Sequence, residues 1–293
     1  RDDFGPAEHA AALRDASAEP DAPLALYVHV PFCAERCSFC GCNVVVTRSQ
    51  EKADRYLDYL DREMRLAVPH LGSRRTVRQL HWGGGTPTFL DEAQIERLFE
   101  MLRSRFDFAQ DAEVALEVDP KVTSREQISL LGALGFNRMS MGVQDFDPGV
   151  QDAINRIQTF EDTRAVVEHA RRSGFRGINF DLIYGLPRQT LETWDRTMDQ
   201  VIELGPDRLA IYGFAYLPEL RPHQKRLPVA DIPEGTTKHR LFRLAYEKLV
   251  EAGYQPIGMD HFARPDDELA RAQRERRLGR NFQGYTVRAA KDS

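Results

Sequence analysis

The stretch YVHVPFCAERCSFCGC, residues 27–42, holds every cysteine of the chain. The four thiols fall between Cys33 and Cys42, and the 293-residue sequence has none elsewhere. A disulfide framework joins distant segments, so a cluster this tight makes a poor one. It points instead to a metal or redox use in a reducing compartment. LALYVHV (24–30), a short apolar run rich in β-formers, comes directly before it. A thiol-bearing loop therefore follows on a predicted strand.

Outward from that loop, strand and helix patterns alternate. Helical spacing over 51–68 puts Tyr56, Leu57, Leu60, Met64 and Val68 on one face. Strand-like runs follow at 77–84, 113–119, 137–144, 178–185 and 208–216. Helical runs occupy 91–106, 124–135, 159–174, 190–204 and 234–253, and 255–263 closes the series. About six βα units with short connections predict a parallel sheet with crossover helices. Doubly wound sheets and barrels give similar patterns, but one feature leans towards a barrel. Polar residues or glycines recur where strands end: His29, Gly83 to Gly85, Glu117 and Asp119, Gln144, Asp181, Tyr212 and Asp260. In a barrel all of those ends meet at one mouth. The expected fold class is α/β, a partial (β/α)6-type barrel with parallel strands in a curved, open sheet. Residues 1–23 read as an N-terminal arm or linker and 24–293 as the barrel core. The basic end RERRLGRNFQGYTVRAAKDS has no hydrophobic period after Gln283 and is expected to fray or to be cut out of context.

The bulk composition is that of an ordinary globular chain, with 42% hydrophobic and 29% charged residues. A net charge of −5 gives no basic field for nucleic acid. No apolar run approaches the roughly 18 residues of a membrane span. The chain is therefore expected to bind neither nucleic acid nor membrane. The acidic, Ala/Pro-rich start does not read as a signal peptide, and a cytoplasmic location is expected.

Three readings of the cysteines compete. A structural zinc takes four ligands, usually as two separated pairs, and no second pair exists here. A redox dithiol would use Cys37 and Cys40 but leaves Cys33 and the strand unexplained. An iron–sulfur cluster held by C-x3-C-x2-C (Cys33, Cys37 and Cys40) would leave one iron without a protein thiolate. That iron would be a coordination site for a small molecule. Cys42 is left over and is expected to be a small buried or neighbouring thiol rather than a ligand.

The C-x3-C-x2-C loop after a strand, with Phe39 before the last cysteine, resembles the radical S-adenosylmethionine superfamily. HWGGGTPT (81–88) ends a strand in three glycines, and no Lys-Ser/Thr follows to make a phosphate loop. It resembles the glycine-rich strand end of that superfamily, with GGGT where GGE is usual. YVHVPFCAERCSFCGCN, HWGGGTPT, EVDP, RMSMGVQDF, DLIYGLP, GMDHFARPDDELA and GRNFQGYT together resemble the oxygen-independent coproporphyrinogen III oxidase family of haem biosynthesis, from about residue 24 onwards.

The resemblance implies oxidative decarboxylation of two propionates of coproporphyrinogen III to vinyls. It implies a 4Fe-4S cluster on Cys33, Cys37 and Cys40, and S-adenosylmethionine at two sites. Tyr27, Gly84 and Glu117 would contact the cluster-bound molecule. Phe39, Gly85, Thr86, Gln144, Arg156, Asp181 and Ala215 match the second site. Tyr27 and His29, two residues apart on one strand and expected to point into the same mouth, are the candidate catalytic residues. The implied partners are a porphyrinogen substrate and an electron donor such as flavodoxin or ferredoxin, with the protein a monomer. The family continues into a helical C-terminal domain beyond residue 293. A haem-binding or haem-chaperone relative is the alternative within the superfamily, and a zinc-stabilised structural module the alternative outside it.

Overall fold

The computed structural model describes residues 4–281 and 284–287. In chain order its elements are α1 (Pro6–Ala16), β1 (Leu24–Val30), β2 (Phe32–Cys33), β3 (Val45–Val46), α2 (Gln50–Ala67), β4 (Thr76–Gly84), α3 (Glu92–Arg103), β5 (Asp107–Val118), α4 (Arg125–Leu134) and β6 (Arg138–Gln144). Then come α5 (Pro148–Ala153), α6 (Phe160–Arg172), β7 (Gly177–Tyr184), α7 (Leu191–Leu204), β8 (Arg208–Gly213), α8 (Gly235–Glu251), β9 (Gln255–Gly258), β10 (His261–Ala263), α9 (Glu268–Arg274), β11 (Gly279–Asn281) and β12 (Gly284–Thr286).

The main sheet runs β1-β4-β5-β6-β7-β8-β10-β9. Its first six strands are parallel and keep sequence order. A doubly wound sheet reverses its order at a switch point, and none exists here. Right-handed crossovers without reversal place every helix on one side. Helices α2, α3, α4, α6, α7 and α8 accordingly pack side by side in turn around the outside. β1 stays at one edge and β9 at the other, so the barrel is partial and open, as expected from the sequence.

Alternation along the strands builds both faces. One set of side chains, Leu80 and Trp82, Val114 and Leu116, Met141, Ile178 and Phe180, Leu209 and Ile211, is buried beneath the helices. Each such burial is worth about 1.5–3 kcal/mol. The alternate set, Gln79 and His81, Glu113 and Glu117, Arg138 and Ser140, Asn179 and Asp181, Arg208 and Tyr212, faces the lumen around a chamber of ≈ 320 Å³. The helices begin where local chemistry says they should. Asp91 with Gln94, Ser124 with Gln127, Thr159 with Asp162 and Thr190 with Thr193 form capping boxes. Gly135 and Gly205 close α4 and α7 in the left-handed conformation.

The sequence reading needs correction in two places. Residues 255–263 are not one closing strand. Met259 turns at φ 50°, and β9 and β10 form an antiparallel hairpin on β8. Asp260 lies in that turn, 2.9 Å from His261 Nδ1, and does not line the lumen chamber. The stretch read as an arm contains α1. Its following segment is pinned by buried Arg74, which donates to the carbonyls of Ala16, Ala22 (2.9 Å) and Pro23 (2.9 Å). The expectation of fraying after Gln283 falls mostly outside the described residues, although Gly284–Thr286 pairs with Gly279–Asn281.

The lumen floor is a network of charges. Arg138 meets Glu113 at 2.7 Å and also bonds Glu268. Arg208 grips Asp267 at 3.0 and 3.1 Å and reaches Glu268 at 3.1 Å. Both acids come from the start of α9, so these contacts fasten the last helix beneath the barrel.

Candidate active site

The cysteine loop leaves β1 at the mouth of the barrel. Its backbone is held from several directions. Ser38 N–H donates to Ile154 O (2.8 Å), Val45 N–H to Pro31 O (2.7 Å) and Thr47 N–H to Cys33 O (3.0 Å). Asn155 Nδ2 donates to Arg36 O (3.0 Å), Gln224 Nε2 to Phe39 O (3.0 Å) and His223 Nε2 to Cys40 O (2.7 Å). Phe39 packs against the apolar cluster of Val150, Ile154, Leu186, Phe214 and Leu227. A loop with this many fixed carbonyls presents its thiols in set directions.

Cys33, Cys37 and Cys40 each have a polar neighbour of their own. Cys33 Sγ lies 3.7 Å from Thr86 Oγ1, Arg156 Nη1 lies 3.6 Å from Cys37 Sγ, and Cys42 N–H donates to Cys40 Sγ at 3.4 Å. Burial pushes the Cys33 and Cys37 thiols up, with Arg156 opposing this at Cys37. The contact with Cys42 pulls Cys40 down to about 6, and the same contact, followed by burial, pushes Cys42 up. Among the described residues, no three His, Cys, Asp or Glu side chains converge as ligands of one ion would. A cluster asks less of the loop, because each thiolate takes a different iron. Donors beside the sulfurs are the surroundings such ligands use, so the residues present fit a cluster.

The three cysteines open onto a cavity of ≈ 890 Å³. Phe39, Gly84, Gly85, Thr86, Glu117, Gln144, Arg156 and Asp181 line the same space. Gly84 has φ +117°, and a Cβ there would lie 2.8 Å from the His29 ring and 2.9 Å from Val30 O. A Cβ on Gly85 would meet Phe32 O at 2.6 Å. Only glycines let β4 end this close to the cysteine loop. Gln144 closes β6 at φ 66°, a conformation that costs a non-glycine residue about 1–3 kcal/mol and collects at functional sites.

The acids and the arginine are set by neighbours. Glu117 accepts from Gly84 N–H (3.2 Å) and lies 3.3 Å from His81 Nε2. Asp181 accepts from Ser140 Oγ (2.8 Å) and Asn179 Nδ2 (3.0 Å), yet burial still raises it to about 6. Arg156 pairs with Asp119 at 2.9 Å and donates to Gly142 O at 2.6 Å, while its buried Nε has no partner.

Three expected residues sit apart from this cavity. Tyr27 lines the inner chamber, stacked on His81 with ring centroids 6.0 Å apart, and burial lifts its hydroxyl to about 12. His29 uses both ring nitrogens, one with Tyr27 Oη (3.0 Å) and one with Asn43 O (2.9 Å). Ala215 lies in the loop after β8, and its carbonyl accepts from Gln224 Nε2 at 3.2 Å. The sequence reading assigned no role to Asp119, Ser140, Asn179 or His81. Strand-end position pointed to Asp119, and the period-2 lumen face carries the other three. The residues that brace the loop from behind, Asn155, His223 and Gln224, had no local signal.

A thiol loop, a glycine-rich strand end and partner-seeking polar groups share the mouth of a parallel half-barrel. The radical SAM superfamily matches residues 27–201. The chain belongs to that superfamily, which implies a 4Fe-4S cluster and S-adenosylmethionine. Among particular relatives, it is 52% identical over 285 residues to the oxygen-independent coproporphyrinogen III oxidase of Salmonella typhimurium, covering 97% of this chain and 62% of that protein. The enzyme of the same name from Escherichia coli K12 is 50% identical over 291 residues, covering 99% and 63%. The solved structure of Escherichia coli coproporphyrinogen III oxidase (HemN), described as a radical SAM enzyme, superposes with a TM-score of 0.93 at 51% identity. It covers 97% of this chain and 65% of that one. The chain thus spans about three-fifths of the length of these curated relatives. They bear out the family resemblance read from the motifs. Among the described residues no helix is long and apolar enough to cross a membrane.

Proposed function

We propose that this chain carries the catalytic barrel of an oxygen-independent coproporphyrinogen III dehydrogenase. The observation that supports this most is that Cys33, Cys37 and Cys40 open onto one cavity with Gly84, Gly85, Glu117, Arg156 and Asp181. When bound to Cys33, Cys37 and Cys40, the cluster with S-adenosylmethionine would supply the radical chemistry that removes a β-hydrogen from a propionate, with carbon dioxide and one electron lost to leave a vinyl group.

The chain's own residues hold and orient. Cys33, Cys37 and Cys40 bind the cluster, and the Arg156 guanidinium beside Cys37 offsets thiolate charge. Gly84 and Glu117, with Tyr27 behind them through His81, form the place of the cluster-bound S-adenosylmethionine. Carboxylates here suit ammonium and ribose hydroxyl groups. Phe39, Gly85, Thr86, Gln144, Arg156 and Asp181 surround a second S-adenosylmethionine, with Ala215 outside that cavity in the loop after β8. Arg156 suits its carboxylate, since the fork-shaped guanidinium can bind two oxygens. His29 holds Tyr27 and the loop carbonyl of Asn43, a positioning task. The proposed substrate is a porphyrinogen, the electron donor a flavodoxin or ferredoxin, the state monomeric and the location cytoplasmic.

The test is anaerobic reconstitution with iron and sulfide, followed by assays for 5′-deoxyadenosine and for vinyl products from coproporphyrinogen III. Formation of both supports the proposal. A reconstituted cluster that never yields 5′-deoxyadenosine contradicts it, and tight haem binding without cleavage would favour the chaperone alternative.

A further inference from the structure

The cysteine loop is bordered by a segment that carries more basic than acidic side chains. Residues 217–226, LPELRPHQKR, wrap behind it. Arg221 Nε donates to Gly41 O at 2.9 Å, His223 Nε2 reaches Cys40 O at 2.7 Å and Gln224 Nε2 reaches Phe39 O at 3.0 Å. From the loop itself, Arg36 stands 3.5 Å from His223 Nδ1 and donates to Val44 O. Lys225 and Arg226 are exposed beside these contacts, as are Leu217 (49%) and Leu220 (70%). The nearby acids are few. Glu219 is 4.0 Å from Lys225, and Glu35 is shared by Arg48 and Lys121. Arg36, Arg221 and Arg226 have no carboxylate partner among the described residues.

We propose that this face, an exposed leucine pair bordered by Arg221, Lys225 and Arg226 and joined by hydrogen bonds to the carbonyls of Phe39, Cys40 and Gly41, docks an acidic one-electron carrier protein. The inference rests on the proposed cluster at Cys33, Cys37 and Cys40. One electron leaves the carrier, which is oxidised by one unit, and enters the cluster, which is reduced by one; no bond forms or breaks. Leu217, Leu220, Arg221, Lys225 and Arg226 do not line the cavity, so a carrier can meet the thiol loop there without entering the substrate space. Opposite charge would orient the encounter in a net −5 chain that otherwise repels an acidic protein. The small apolar centre suits a contact that must also release.

The test uses the reconstituted chain, reduced flavodoxin as the acidic carrier, and dithionite as a small reductant. The variant is Lys225→Glu with Arg226→Glu, at exposed positions outside the cavity. The readouts are iron content, cluster bleaching in stopped flow and flavodoxin affinity by titration. The variant should keep its iron content and its dithionite rate. Its flavodoxin affinity and reduction rate constant should fall about tenfold or more at low salt, and the parent's decline with rising salt should vanish. A control with Arg97→Glu and Arg103→Glu on α3, on the outer ring, should behave like the parent. Unchanged flavodoxin affinity and rate in a loaded variant would overturn the docking face alone. A parent chain that takes up no cluster would overturn the function and this inference together.

Discussion

The two ends of the barrel satisfy their polar groups to different degrees. At the floor, Arg138 and Arg208 each meet carboxylates, and Glu113, Asp267 and Glu268 each meet a cation. Every charge there has its counter-charge. At the mouth, among the described residues, Asp181 has hydroxyl and amide partners but no arginine or lysine, Glu117 has a histidine and a backbone N–H, and Arg156, although paired with Asp119, keeps a buried Nε without a partner. A buried polar group left unmatched costs stability unless something binds to it. The floor is complete as it stands, and the mouth keeps a buried polar atom that a ligand would satisfy. Mutations should therefore separate the two ends: the mouth should lose cofactor without losing the fold, and the floor should do the reverse.

The largest effect belongs to the mouth. Cys33→Ser, Cys37→Ser or Cys40→Ser should each abolish cluster uptake, read as iron content and visible absorbance after reconstitution, with the far-ultraviolet circular dichroism of the parent. Normal reconstitution of the triple variant would erase the distinction between the two ends. The floor comes next. Arg138→Met leaves Glu113 without its close cation and weakens the hold on Glu268, so unfolding stability should drop by about 3–5 kcal/mol. Iron uptake at low temperature should stay near that of the parent. Loss of iron without loss of stability would mean that the ends are coupled.

A smaller effect concerns Asp181. Burial raises its carboxyl to about 6, Ser140 and Asn179 oppose this, and Glu117 adds to it. A raised value means that the empty site takes up a proton readily, and a ligand that needs the carboxylate must compete with that proton. S-adenosylmethionine affinity should fall by up to tenfold per pH unit as pH drops below about 6. Asp181→Asn should bind more weakly at pH 7.5 (a pH about 1.5 units above that value) and show no such pH dependence. A parent profile flat through this range would remove Asp181 from the site. The smallest effect is expected at Cys42, whose N–H supports Cys40. Cys42→Ser keeps that N–H and should leave iron content nearly intact, whereas loss of the whole cluster would make Cys42 a ligand.

The mouth was the more legible end in the sequence. Its residues sit where strands stop, so the cysteine spacing, HWGGGTPT and the acids Glu117 and Asp181 could be placed by period alone. Sequential strand order, which separates a barrel from a doubly wound sheet, could only be leaned towards, because both give the same one-dimensional alternation. The floor was nearly invisible. Arg138, Glu113, Asp267 and Glu268 read as ordinary surface charges, and what joins them is the return of α9 under the barrel, a contact spanning 130 residues. The β9–β10 hairpin was misread because the residue in the left-handed conformation at its turn is Met259, a poor turn former, although Gly258 and Asp260 flank it. The loop's rear supports escaped for the same reason as the floor. His223 and Gln224 reach Cys40 and Phe39 across more than 180 residues.

The claim that three thiolates hold a cluster and leave one iron open is tested most directly by electron paramagnetic resonance. The reduced, anaerobically reconstituted chain would be measured with and without S-adenosylmethionine. The account predicts a 4Fe-4S signal that changes on adding S-adenosylmethionine and is absent from the Cys33→Ser, Cys37→Ser and Cys40→Ser variants. A signal unmoved by S-adenosylmethionine, or one that survives loss of those thiols, would contradict it.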